Sequence, residues 1–329
     1  MAIITDKSDV MAIGRKYKNR QIPVCVFGTG NFWNTEAILL AAKNFKEKHS
    51  LKEPVAVTMA ITYDYAHMSQ CARFSYNGNL QAGLESNFHY LHELCGRPGS
   101  PYYDVIVLPH LDHANPEKDK WALTEGVHHF ASVMFDAQTY SLEENLRLTA
   151  EYVEKYGDRV VIEGILDELP VFESAGHPED KSGRNTDEDY ARNVIRYVDS
   201  TGVDFVVADL GTEQQSNKVG DVKYLKNRAR LLSKLLKDKG IVLHGTSSMS
   251  DVQLAQLGDD GIARVNMWTR IARESGEAAA TKLLMRTPLI RQGDFEATES
   301  RQYIYDSITS AADIMENMME ILGYKKLLD

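Results

Sequence analysis

Eight short apolar runs punctuate the chain. They read "VCVFG" from Val24, "VAVTMAI" from Val55, "VIVLPHL" from Val105 and "ASVMFDA" from Ala131, then "VVIEGIL" from Val160, "VDFVVADL" from Val203, "GIVLHG" from Gly240 and "IARVNM" from Ile262. Most are continuous rather than alternating, as in strands of a parallel sheet covered on both faces. Helical patterns lie between them. "SLEENLRLTAEYVEKYG" sets Ser141 and Glu144 at capping-box spacing, repeats Leu142, Leu146, Ala150 and Val153 at helical intervals, and stops at Gly157. "TDEDYARNVIRYVDSTG" has an acidic first turn, then Ala191, Val194, Ile195 and Val198, and ends at Gly202. Residues 222–239 are basic and helical in pattern.

Eight strands alternating with helices predict an α/β fold, a (β/α)8 TIM barrel forming a single domain over 1–329. A doubly wound open sheet is the competitor. Its GxGxxG fingerprint does not follow the first strand, where "FGTGNFWN" is only a loose glycine turn. Three stretches are additions to the barrel. Residues 62–104 are an extended β2–β3 connection with a helix around "LESNFHYLHEL", and 168–189 read as a mobile active-site loop. Residues 286–329 form a C-terminal helical extension, whose Met and Ile at helical spacing suit a core or subunit-contact helix.

A hydrophobic content of 43% suits a globular protein, and the net charge of −10 gives nucleic-acid binding no electrostatic support. No apolar stretch approaches the roughly 18 residues of a membrane span, and the N-terminus lacks a signal-peptide core. Three cysteines without a CxxC pair point to a reducing, cytoplasmic setting.

In a barrel of this kind the active site lies at the C-terminal strand ends. Strand 3 ends in His110, Asp112 and His113, strand 4 in Asp136 and strand 6 in Asp209; strand 5 carries Glu163, strand 7 ends in His244 and strand 8 in Asn266. Alternation puts His110 and Asp112 on one face, and His113 lies where the strand gives way to loop and can turn inward. Histidines on two strand ends with carboxylates nearby suit a divalent metal such as zinc, which usually takes three protein ligands and keeps a position open. The plainer reading of each is a hydrogen-bonded rim histidine. His89 and His92 read as helix surface, and His128 and His129 as structural groups at the barrel bottom. His177 is a candidate replacement ligand, and Trp268 either narrows the pocket or packs.

The ordered segments "HLDHA" (110–114), "SVMFDAQTYSLEENLRLT" (132–149), "TGVDFVVADLGT" (201–212), "IVLHGTSS" (241–248) and "GIARVNMWT" (261–269) resemble motifs of the class II, metal-dependent ketose-bisphosphate aldolases. The resemblance implies reversible aldol cleavage of a ketose or ketose phosphate through a zinc-stabilised enediolate. It makes Asp112 the catalytic acid/base and His113 and His244 zinc ligands. Gly211, Gly245, Ser247, Asn266 and Thr269 would hold the sugar or sugar phosphate, and Asp136 and Glu163 would lie near a second metal or monovalent cation. Family members are commonly homodimers or homotetramers. The chain departs from the pattern at the third ligand: "GTEQQ" puts Gln214 at the usual His, with Glu213 adjacent. Gln215 and Thr246 replace glycines, Ile165 replaces a Glu, and Gly28 replaces an Asn. Besides an aldolase, an epimerase-like enzyme acting on a sugar or polyol and a non-catalytic aldolase-like subunit remain open at this point.

Overall fold

The computed structural model describes residues 2–166, 186–214, 223–298 and 300–328. Eight parallel strands close into a barrel in chain order: β1 (Val24–Gly28), β2 (Ala56–Thr62), β3 (Ile106–Ala114), β4 (Ser132–Phe135), β5 (Val161–Ile165), β6 (Phe205–Val207), β7 (Gly240–Leu243) and β8 (Ile262–Met267). β8 returns to pair with β1, with Phe27 beside Met267. Each predicted apolar run supplies one strand, so the (β/α)8 expectation holds. β6 is shorter than its run, because Asp209 turns back to accept the Gly211 N–H at 2.9 Å.

The strands are apolar on both faces because each face meets a different core. Outward residues such as Phe27, Ile61 and Leu243 pack under the surrounding helices. Inward residues such as Leu108, Val161, Phe205 and Val242 fill the lumen. Each such side chain stabilises the fold by about 1.5–3 kcal/mol. The helix Lys7–Asn19, which its polar pattern did not announce, sends Val10 into the lumen cluster. Lys7 fixes it below, through the Asp204 carboxylate and the Gly157 carbonyl, each at 2.6 Å.

Ser141 caps the helix Leu142–Tyr156, accepting the Glu144 N–H at 3.3 Å, while the Glu144 carboxylate engages Arg147 at 2.6 Å. The helix expected from residue 222 runs Lys226–Leu236. Most of the 168–189 loop and His177 lie outside the described residues; of the described part, 186–189, Thr186 caps the helix Asp187–Thr201 and the rest is that helix's first turn. The long β2–β3 connection contains the helix Leu80–Cys95. At the other end the helix Ser300–Ile321 buries Ala311, Met315, Met318 and Met319 in the outer core. Behind it Tyr324 is fully buried, and its hydroxyl bridges two strands, accepting the Cys25 N–H at 2.8 Å and donating to the Ala56 carbonyl at 3.3 Å.

Candidate active site

β3 carries the densest chemistry, and a break in its regularity makes the site. Leu111 pairs with Val133 and Ala114 with Phe135, so β3 advances one residue more than β4 over that stretch. The extra residue is a bulge. His113 sits in it with φ 50°, in the left-handed region. Such a conformation costs a non-glycine residue about 1–2 kcal/mol. Strict alternation would send His113 outward; the bulge turns it in beside Asp112.

β7 delivers the second imidazole. His244 follows its last residue, and its carbonyl accepts the Thr212 hydroxyl at 2.7 Å. Gly245 then adopts φ 74°, and a Cβ there would lie 2.9 Å from the Glu213 backbone. Only glycine fits so tight a turn. The ring centroids of His113 and His244 are 5.0 Å apart and nearly perpendicular. Three donor atoms, one each from Asp112, His113 and His244, lie within 4.8 Å of one another, and all three residues line one cleft.

His113 and Asp112 are each held by neighbours. The His113 Nδ1–H donates to Asp136 Oδ2 at 2.8 Å, leaving Nε2 for the cluster. Asp136 is itself bound by the Gln138 N–H and amide at 3.2 and 3.0 Å. Tyr65 stacks on the His113 face, centroids 4.5 Å apart and planes 12° from parallel. The Asn266 amide donates to both Asp112 oxygens, at 3.0 and 3.2 Å. Below, Arg264 donates to Glu163 and, at 3.0 Å, to the Ser132 hydroxyl. Ser132 in turn lies 2.8 Å from His110 Nδ1. Arg264 can only donate, so the Ser132 hydrogen is free for His110 Nδ1. His110 Nε2 faces Asp112 and Glu163, each at 3.7 Å.

Burial alone would raise the Asp112 carboxyl, but His113, His110 and His244 outweigh it and hold it well below the usual carboxylate range. Burial opposes a charge on His113, yet Asp112 and Asp136 raise its pKa above that of an ordinary imidazole. Burial pushes His244 down to about 4, so it is neutral and its lone pair is available. A divalent cation fits this donor set. Two imidazoles and an ionised carboxylate converge in a buried, anion-rich space, and His113 and Asp112 each have an outer partner that fixes them.

The cleft above the cluster is lined by Gln214, Gly245, Ser247, Asn266 and Thr269 among the expected residues. Four expected residues stand elsewhere. Glu213 gives the cleft no side chain; its N–H points to the Ser248 hydroxyl at 3.4 Å. Gly211 is not part of the lining. Asp136 lies behind His113, and Glu163 lies below, occupied by Arg264. Thr246 spends its hydroxyl on the Asn266 carbonyl at 2.8 Å, and Ile165 joins the lumen core. Thr62, Tyr65 and Met68 also line the cleft and were not anticipated. The aromatic-rich "TYDYAHM", which starts at the last residue of β2, was the available signal. For Arg264 the signal was a lone cation inside the apolar run "IARVNM".

The family profile for fructose-bisphosphate aldolase class-II matches residues 10–326. The chain is 25% identical to a fructose-bisphosphate aldolase of Streptococcus pneumoniae over 327 residues, 98% of each protein. It is 32% identical over 181 residues to a 6-phospho-5-dehydro-2-deoxy-D-gluconate aldolase of Shouchella clausii, covering 54% of this chain and 57% of that one. Among solved structures it superimposes on the fructose-bisphosphate aldolase of Campylobacter jejuni with a TM-score of 0.73, at 18% identity and over 98% and 95% of the two chains. The YdjI aldolase of Escherichia coli gives 0.67 at 17% identity over 96% and 97%. Fold, profile and relatives agree that this chain belongs to the class-II fructose-bisphosphate aldolase family and is a carbon–carbon lyase.

Proposed function

We propose that the protein cleaves and forms a carbon–carbon bond in a ketose or ketose phosphate, with zinc held by His113 and His244. The convergence of the Asp112, His113 and His244 donor atoms within 4.8 Å carries this reading. A divalent ion there supplies a Lewis acid for the ketone carbonyl. The protein's own groups do the rest. The Asp112 carboxylate, kept ionised by its imidazole neighbours, takes the proton of the hydroxyl beside the scissile bond. That carbon becomes an aldehyde, and the electron pair stays with the ketone fragment. Condensation reverses the order, and Asp112 returns the proton. Asn266 keeps both Asp112 oxygens aimed. Gln214, the cleft's occupant at the usual third-ligand position, is the candidate to complete the coordination in place of Glu213.

Ser247, Thr269 and the Gly245 turn are the contacts for the sugar or its phosphate. Asp136 accepts from His113 and from Gln138, which supports a role in orienting His113. No helix among the described residues is long and apolar enough to cross a membrane, and three free buried cysteines suit the cytoplasm. Leu284, Met285 and Phe295 are each more than 70% exposed beside the C-terminal helices, which favours a homodimer or homotetramer. The deciding experiment measures metal content and proton exchange on dihydroxyacetone phosphate. We expect about one zinc per chain. Asp112→Asn should slow ketose cleavage by about 10²- to 10⁴-fold. Full activity in that variant would end the acid/base assignment.

A further inference from the structure

Trp268 directly follows β8, lines the cleft next to Thr269, and meets an unusual floor. Barrel closure sets β1 beside β8, so the turn after β1 lies against it. A Cβ at Gly28 would lie 2.8 Å from Trp268 Cε3, and one at Gly30 would lie 3.1 Å from Cη2. The benzo ring of a single indole therefore covers both glycines. Neither has a positive φ, so the backbone does not require glycine at either position. What excludes a side chain is the indole. Gln70 Nε2 is 3.1 Å from the same point over Gly28, and the Gln70 carbonyl oxygen is tied to the Thr62 N–H at 2.9 Å. Arg73 Cδ approaches the point over Gly30 to 3.6 Å. The ring is thus seated on two glycines and fenced by two side chains.

A fixed aromatic plane in a cleft otherwise rich in hydroxyl and amide groups has a definite use. It offers an apolar face to the C–H edges of a carbon chain whose oxygens are bound elsewhere. It also removes volume that a larger group would need. Thr269 is the next residue in the chain and Ser247 lines the same cleft; both are the sugar-phosphate contacts proposed above, so the part of the substrate assigned to the indole is the ketone fragment. We propose that Trp268, seated on Gly28 and Gly30, is a specificity-determining residue: it stacks on the three-carbon ketone donor and limits the size of the donor's end group. This rests on the aldolase reading above.

The test is calorimetric binding of dihydroxyacetone phosphate to the zinc-loaded full chain. Trp268→Ala should weaken binding at least about tenfold, equal to about 1.4 kcal/mol, with zinc content unchanged. Trp268→Phe keeps a planar ring and should stay close to wild type. Gly28→Ala, which pushes the indole from its seat, should weaken binding in the same direction even if Trp268→Ala fails to fold. Equal affinity in Trp268→Ala, a Trp268→Phe variant as weak as the alanine, unchanged binding in Gly28→Ala, or no binding by wild type each overturns the proposal. Turnover reads the aldolase assignment separately: a protein that holds the donor through Trp268 and never cleaves a ketose retains this inference and loses that one.

Discussion

Asp136→Asn removes one charge and no volume, and it tests whether the metal centre depends on groups that never touch the metal. In the wild type, Asp136 accepts from His113 Nδ1 at 2.8 Å and from the Gln138 N–H and amide at 3.2 and 3.0 Å. Three donors thus converge on one acceptor-only group. An asparagine must turn its NH₂ toward one of them, so either His113 loses its partner or Gln138 does. Outer partners of ligating histidines typically contribute about 10- to 100-fold in metal affinity, or about 1.4–2.7 kcal/mol. A second effect opposes it. Asp136 also raises the His113 pKa, so the variant gives up its competing proton more readily. The two separate with pH: measured well above the His113 titration, only the orienting effect remains, and there the full loss should appear. The assay is competition for zinc against a chromophoric chelator, with the melting temperature as a control for folding. Wild-type affinity at alkaline pH would refute the idea that Asp136 orients the ligand.

Zinc affinity should itself fall as pH falls, by about tenfold per unit below the His113 titration, because one proton must leave for each metal bound. Burial keeps His244 near pKa 4, so the slope should stay close to one proton through the mildly acidic range; a slope of two there would contradict the difference between the two imidazoles. Arg264→Met leaves Glu163, whose side chain is 1% exposed, without its cation. Stranding a buried charge costs about 3–5 kcal/mol. At about 2.1 cal/mol/K per residue, this chain should melt about 4–7 °C lower. Adding Glu163→Gln should recover at least half of that loss, and an additive double variant would show that the pair is not coupled.

Much of the architecture was legible because two-sided burial writes itself as continuous apolar runs. All eight became strands, and the barrel then assigned their polar ends to one rim. Asp112, His113 and His244 were singled out this way, and the fold brings them together. Their outer partners were less visible. That Glu163 lies against Arg264 depends on which rows of the lumen meet, and strand periodicity carries no such information. The bulge that turns His113 inward is likewise a property of β3 against β4. Tyr65 escaped notice because a connection without a repeat gives no hint of which residue folds back. The helix Lys7–Asn19 was missed because a plug touches the core with few side chains, of which Val10 and Tyr17 are buried.

The Tyr324 hydroxyl has a consequence for the order of events during synthesis. It stands between the Cys25 N–H and the Ala56 carbonyl, a place where the first two staves do not grip each other directly. The ribosome delivers that hydroxyl 299 residues after Cys25. Until then the opening seam of the barrel carries two main-chain groups with no lasting partner, so a nascent chain can rehearse the fold but cannot finish its first joint. A protease added to stalled nascent chains should therefore find the N-terminal quarter vulnerable until Tyr324 has left the exit tunnel.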